Sequence, residues 1–209
     1  PNDNLLTYFN YAVGFRPGNI NNHMEFVNTQ YLLLIEEAVA QGLPTDVLEA
    51  TRISALSRRF FDGDEVQQYE VGLKTTLFDG RVSLQTAAYF LDWKDMIMVE
   101  EDPLVGATNP LNYYNTNSGG AEISGFEITV TAFLTERLSI TVGGDVNDGE
   151  VTQGPVFGTN SPKTNELIYA PPWSATLVMD YDIPLSNGWM MSLHADHAWV
   201  DVQWTDTRN

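Results

Sequence analysis

The sequence predicts an all-β protein. Its class is an antiparallel transmembrane β-barrel, with this chain supplying about seven strands of a larger barrel. Long extracellular loops join the strands, and one of these contains short helices. Three observations predict that class. Apolar side chains alternate with polar or small ones in segment after segment, as in strands with one face in an apolar medium. Tight turns alternate with long polar segments along the whole chain, the asymmetry of a sheet whose short turns and long loops lie on opposite sides of a membrane. Finally, the lipid-side positions are nearly free of charge, while more than half of the 28 acidic residues fall in the long segments.

The first strand runs from Leu5, with Leu5, Thr7, Phe9, Tyr11, Val13 and Phe15 on one face and Asn10, Ala12 and Gly14 between them. The second, between Glu65 and Phe78, sets Tyr69, Val71, Leu73 and Leu77 against Gln68, Glu70 and Lys74. After Arg81, Val82, Leu84, Thr86, Ala88 and Phe90 oppose Ser83, Gln85, Ala87 and Tyr89. Phe126, Ile128, Val130 and Ala132 then alternate with Glu127, Thr129 and Thr131, and Leu138, Ile140 and Val142 with Ser139, Thr141 and Gly143. Two last strands place Ala175, Leu177, Met179, Tyr181 and Ile183, then Trp189, Met191, Leu193 and Ala195, toward lipid. Each is expected to be close to the roughly 9–11 residues of a tilted membrane strand. Trp173, Tyr181, Trp189 and Trp199 fall near strand ends, where interfacial aromatic girdles form.

Asp79-Gly80 supplies the positive φ of a tight hairpin turn, and Leu134–Arg137 and Pro184–Gly188 are similarly short. The long connections are expected over 16–64, 97–120 and 145–171. Within the first, Tyr31 to Gln41 is rich in helix formers and stops at Gly42-Leu43-Pro44. A second helix is expected to open at Thr45-Asp46, with Glu49 in its first turn, and to end near Ser57. The pair is expected to lie over the barrel mouth, with a membrane-surface or partner-binding helix as the alternative.

A formal net charge of -18, with only 10 basic residues, excludes a nucleic-acid footprint. The absence of cysteine excludes a disulfide framework and any Cys-based metal site. No apolar run approaches the about 20 residues of a membrane helix. The chain reads as an interior piece of a longer protein, since it has no initiator Met or signal peptide and ends in a polar stretch.

Several stretches, taken in order, resemble TonB-dependent receptors. Tyr8 to Asn19, containing Gly14-Phe15-Arg16-Pro17-Gly18, is similar to a barrel strand of that family and the loop that follows it. Glu70-Val71-Gly72-Leu73-Lys74 with Phe78 to Leu84 resembles the family's Glu-x-Gly-x-Lys hairpin, and Ala87 to Asp95 the strand that continues it in iron-complex receptors. Asn117 to Glu127 resembles an Asn-x-Gly-x-Ala-x-x-x-Gly-x-Glu strand, and Pro172-Trp173-Ser174 with Asp180-Tyr181 and Pro184-Leu185 a later hairpin. The resemblance covers every strand and leaves the loops unmatched. It implies a plugged barrel of about 22 strands, with residues 1–209 forming about a third of it in the C-terminal half. It also implies an N-terminal plug, a TonB box that meets the energy-transducing TonB complex, and terminal strands, none of which falls in this sequence.

The candidate ligand-binding residues are Arg16, Arg58, Arg59, Tyr113 and Tyr114, because guanidinium and aromatic groups suit anionic, ring-bearing ligands such as ferric chelates. Loop packing and solvation is the competing account of the same residues. Asp92, Asp95, Glu100, Glu101 and Asp102 lack the ordered spacing of a Ca²⁺ loop and read as a solvated acidic segment. His194 and Asp196 share one strand face and His197 takes the other, so the three do not converge on a metal. Glu70, Glu127 and Asp180 fall at lumen parity, where carboxylates meet water or polar groups of a plug. No nucleophile–base order or phosphate loop is present, and neither catalysis nor a cofactor is expected. The expected function is an outer-membrane receptor, embedded in outer-membrane lipid, for TonB-dependent uptake of a ferric siderophore or similar scarce nutrient. A receptor for an oligosaccharide or other organic nutrient, and a passive porin-like barrel, are the alternatives.

Overall fold

The computed structural model describes residues 4–101, 113–154 and 167–203. Seven strands form one antiparallel sheet: β1 (Leu5–Arg16), β4 (Asp64–Leu77), β5 (Val82–Glu101), β6 (Tyr113–Phe133), β7 (Leu138–Gln153), β8 (Trp173–Pro184) and β9 (Met190–Val200). They stand in that order, each hydrogen-bonded to the next. The excursion between β1 and β4 holds β2 (Asn19–Ile20), α1 (His23–Ala40), α2 (Asp46–Ser57) and β3 (Phe60–Phe61), with β2 paired to β3.

The register converts the period-two pattern into two chemically distinct faces. Phe9, Val71, Ala88, Phe126, Val146 and Trp173 stand opposite one another in turn across six strands, an unbroken apolar row. One residue along each strand, the adjacent row reads Tyr8, Gly72, Ala87, Glu127, Asp145 and Ser174. A one-residue slip would exchange these faces, so lipid on one side and water on the other specify the register. On the polar face the Tyr8 ring lies over Gly72 and the Tyr89 ring over Gly125, where a Cβ on either glycine would overlap the ring. The Glu-x-Gly-x-Lys pattern therefore has a steric cause: its glycine is the bed of a tyrosine from the preceding strand, and Lys74 reaches the same ring at 5.8 Å.

The turns follow the residues read for them. Asp79 (φ 54°) and Gly80 (φ 84°) form the tight hairpin turn, closed by the Arg81 N–H donating to the Phe78 carbonyl at 3.2 Å. Between β8 and β9 the chain turns over Ser186–Gly188, with Asn187 at φ 73° and Gly188 at φ 79° in the left-handed region.

Strand length departs from expectation. β5, β6 and β7 have 20, 21 and 16 residues, and they run through much of what the sequence reads as the loops at 97–120 and 145–171. Beyond the apolar belt no side-chain alternation is needed. The strands continue there because each backbone finds a ladder partner, out to Glu101↔Tyr113 and Gly120↔Gln153. α1 likewise begins eight residues before Tyr31, at His23, and its first turns carry Met24 and Val27, which share one buried apolar face with Tyr31. Its end is as read, with Gly42 at φ 69° and the Leu43 N–H returning to the Ala38 carbonyl at 2.9 Å. α2 opens at Asp46 with Asp46 and Glu49 in its first turn, and Thr45 makes no side-chain cap bond.

Candidate functional site at the extracellular ends of the strands

Arg16 and Asp64 are the last and first paired residues of β1 and β4, so the helical excursion leaves and re-enters the sheet between them. Their side chains close its neck. Arg16 Nε donates to both Asp64 oxygens at 3.0 Å, and Nη2 bonds Oδ2 as well. Asp64 also accepts from Trp93 Nε1 at 3.0 Å and from the Ile97 N–H at 3.1 Å. The pairing of β5 with β6 slips between Trp93 and Ile97, with Asp95 at φ 51°, so an irregularity of the kind that re-aims strand groups lies beside the cluster. The Asp64 side chain is 1% exposed while that of Arg16 is 52% exposed. A buried carboxylate is tolerated only when its lone pairs are taken by charged or N–H donors, and here they are. The guanidinium sits over the Trp93 ring, 4.9 Å from its centroid.

The helix pair is tied to the projecting end of β6. The Asn21 side-chain amide donates to the Asn115 carbonyl at 2.8 Å and accepts the Asn115 N–H at 2.9 Å. N–H and C=O of one strand residue point the same way, and β7 meets β6 only from Gly120 onward. Asn21 thus stands in for a strand on an edge that has no other ladder partner among the described residues. Asn117 makes the same reciprocal pair with the backbone of Asp62, at 2.6 and 2.9 Å. Next to the Asn115 clamp, Tyr114, 5% exposed, packs with Met24, Val27 and Ala55. Its hydroxyl donates to Glu100 Oε2 at 3.0 Å.

The five candidate residues are therefore distributed as follows. Arg58 lies over the Tyr114 ring at 5.1 Å, so these two meet beneath the helices. Arg59 pairs with Glu25 at 3.0 Å and lies over Phe60 at 5.5 Å. Tyr113 is exposed at the start of β6, and Arg16 stands apart at the neck. Of the acidic segment, Glu100 is buried in the bond to Tyr114 rather than solvated, and Asp92 pairs with Lys94 at 3.1 Å. Asp102 lies outside the described residues. His194 bonds Asp180 at 2.7 Å across the β8–β9 ladder, on the face opposite to His197. Asp64 and Asn21 are not among the residues the sequence marks, and Trp93 and Asn117 are marked only as parts of the family-like stretches Ala87 to Asp95 and Asn117 to Glu127. Their partners lie between 22 and 94 positions away, a distance no local pattern reports.

A wall of amphipathic strands with tight turns at one end and built structure at the other defines a segment of a large transmembrane barrel with an elaborated extracellular mouth. The profile of the family described as "TonB dependent receptor-like, beta-barrel" matches residues 1–209. The chain belongs to the TonB-dependent receptors, β-barrel proteins of the bacterial outer membrane, which are receptors and not enzymes. Among curated relatives, the metal-pseudopaline receptor CntO of Pseudomonas aeruginosa is 29% identical over 153 residues, which is 73% of this chain and 19% of that protein. The probable TonB-dependent siderophore receptor PiuA of Acinetobacter baumannii is 26% identical over 154 residues, 70% of this chain and again 19% of the relative. The chain thus matches about a fifth of the length of these relatives. The crystal structure of the ferric yersiniabactin uptake receptor FyuA from Yersinia pestis shares the fold, with a TM-score of 0.64 at 17% identity over 99% of this chain and 25% of that one.

Proposed function

We propose that the complete protein imports a ferric siderophore or a similar scarce metal complex across the outer membrane. Uptake is driven by the TonB complex through a plug domain encoded elsewhere in the full chain. Residues 1–209 are the stretch of barrel wall whose extracellular ends contribute to ligand recognition. The observation that carries this reading is the pairing of cation and ring at one end of the sheet. Arg16 on Trp93 and Arg59 on Phe60 lie there with Tyr113 exposed beside them, while Arg58 on Tyr114 packs beneath the helices. Guanidinium groups on aromatic faces suit anionic, ring-bearing chelates. The relatives' names, a metal-pseudopaline receptor and a siderophore receptor, support the same ligand class. Glu70 and Glu127, on the polar face, are the groups proposed to meet the plug.

The test is uptake by cells carrying the complete receptor in iron-poor medium. Iron delivered by a siderophore panel should enter at rates lost in cells without TonB, and Arg59→Ala with Tyr113→Ala should weaken capture. Uptake indifferent to TonB would point to the passive barrel, and TonB-dependent uptake of oligosaccharide alone to the organic-nutrient receptor.

A further inference from the structure

We propose that Asp64 is a positioning residue for ligand recognition: its buried carboxylate aims the Arg16 guanidinium, seated on Trp93, so that Nη1 donates to an anionic oxygen of the bound ligand. This rests on the receptor reading above and adds to it the residues that set a charge preference.

The argument begins with where the donors of Arg16 go. A guanidinium carries five N–H groups in a rigid fork. Nε is directed to Asp64, and Nη2 to Asp64 and, at 3.4 Å, to the Ile97 carbonyl. Nη1 has no partner among the described residues, and about half of the side chain faces solvent. One edge of the fork is therefore clamped and the other presented. The Trp93 ring at 4.9 Å fixes the plane in between.

A strand staple alone would not need this arrangement. An uncharged Asn at position 64 could accept the Trp93 and Ile97 bonds without placing a charge where only 1% of the side chain is exposed. What the carboxylate adds is a guanidinium whose rotamer freedom is lost on folding rather than on binding, which is how preorganisation raises affinity. The surroundings make that cation matter. With 28 acidic and 10 basic residues the chain repels an anionic ligand at long range, so a fixed donor at the mouth is what distinguishes a capturable anion from one turned away. The ligand group it fits is a carboxylate or catecholate oxygen, an acceptor for the N–H groups of Nη1.

The experiment uses the complete receptor, purified in detergent, and two probes read by equilibrium dialysis: the anionic ferric complex of dihydroxybenzoate and the neutral ferric complex of acetohydroxamate. Asp64→Asn should weaken the anionic probe roughly tenfold and leave the neutral one within about twofold. Asp64→Asn combined with Arg16→Ala should be no weaker than Arg16→Ala alone, because both changes disable one donor. Equal losses for both probes would make Asp64 a structural staple and overturn the proposal, as would an unchanged affinity for the anion. If the unaltered receptor binds neither probe nor any siderophore complex, the receptor reading itself fails and takes the inference with it. Should Asp64→Asn not assemble, Trp93→Phe removes the indole donor to Asp64 and keeps the ring. It should weaken the anionic probe selectively by about threefold, and no selective loss would again overturn the proposal.

Discussion

At the scale of single residues, neighbours in sequence have opposite surroundings, and this gives the face assignment its sharpest test. Ile128 faces outward between Phe126 and Val130, while Thr129 lies on the polar face opposite Gln85 and Gly143. Arginine at a mid-bilayer lipid position costs roughly 2–4 kcal/mol, and far less on the lumen side. Ile128→Arg in the complete receptor should therefore sharply reduce the heat-modifiable folded fraction in outer membranes, and Thr129→Arg should leave it near the unaltered level. Equal tolerance of both would invert or abolish the faces. The same contrast marks the limit of reading residues from sequence. Alternation made Ile128 and Thr129 legible because their roles are set by neighbours two positions away. Arg16 was legible as a cation at a strand end, but its partner Asp64, 48 positions on in an unremarkable Asp-Gly-Asp-Glu stretch, was not.

At the scale of elements, the helix pair depends on one ring. Tyr114 fills the space among Met24, Val27 and Ala55, holds Glu100, and supports Arg58. Removing a buried aromatic side chain costs about 3–5 kcal/mol, and here the loss falls on docking rather than on the sheet. Tyr114→Ala should speed hydrogen exchange in α1 and α2 several-fold while the amides of β6 from Gly125 to Phe133 stay protected. Loss of protection through the whole of β6 would show that the excursion and the wall fold as one unit. Topology gives a second expectation at this scale. A protease site inserted after Gly154 should be cleaved on intact cells, and one at Asp79-Gly80 only after the outer membrane is breached, because the tight turns lie on the periplasmic side. Cleavage in the reverse order would overturn the orientation. The elements themselves were legible where a medium imposes a pattern. The seven crossings and the turns follow from lipid on one face and from Asp-Gly chemistry. The projecting ends of β5, β6 and β7 carry no such pattern. They are held by pairing and by Asn21 and Asn117, whose contacts are made only in three dimensions.

At the scale of the whole molecule, the sheet poses a problem it does not solve alone. β1 and β9 each pair on one side only among the described residues, so both present a row of unused N–H and C=O groups. In hydrocarbon each such group costs several kcal/mol, which is why spanning sheets close into barrels. Water is no better a solvent for this piece. Phe9, Phe15, Val71, Phe126, Val142, Trp173 and Leu193 are all at least two-fifths exposed, together far more apolar surface than a soluble monomer carries. The described sheet has no second layer over that face, and its one buried apolar cluster lies under the helices instead. Residues 1–209 expressed alone should therefore aggregate, or remain dispersed only in detergent, because neither edge nor face has a partner. Size-exclusion chromatography with circular dichroism checks this directly. A monodisperse species that melts cooperatively without detergent would mean that the strands bury their apolar face against one another in water, as a sandwich does, and the lipid-facing assignment of that face would have to be given up.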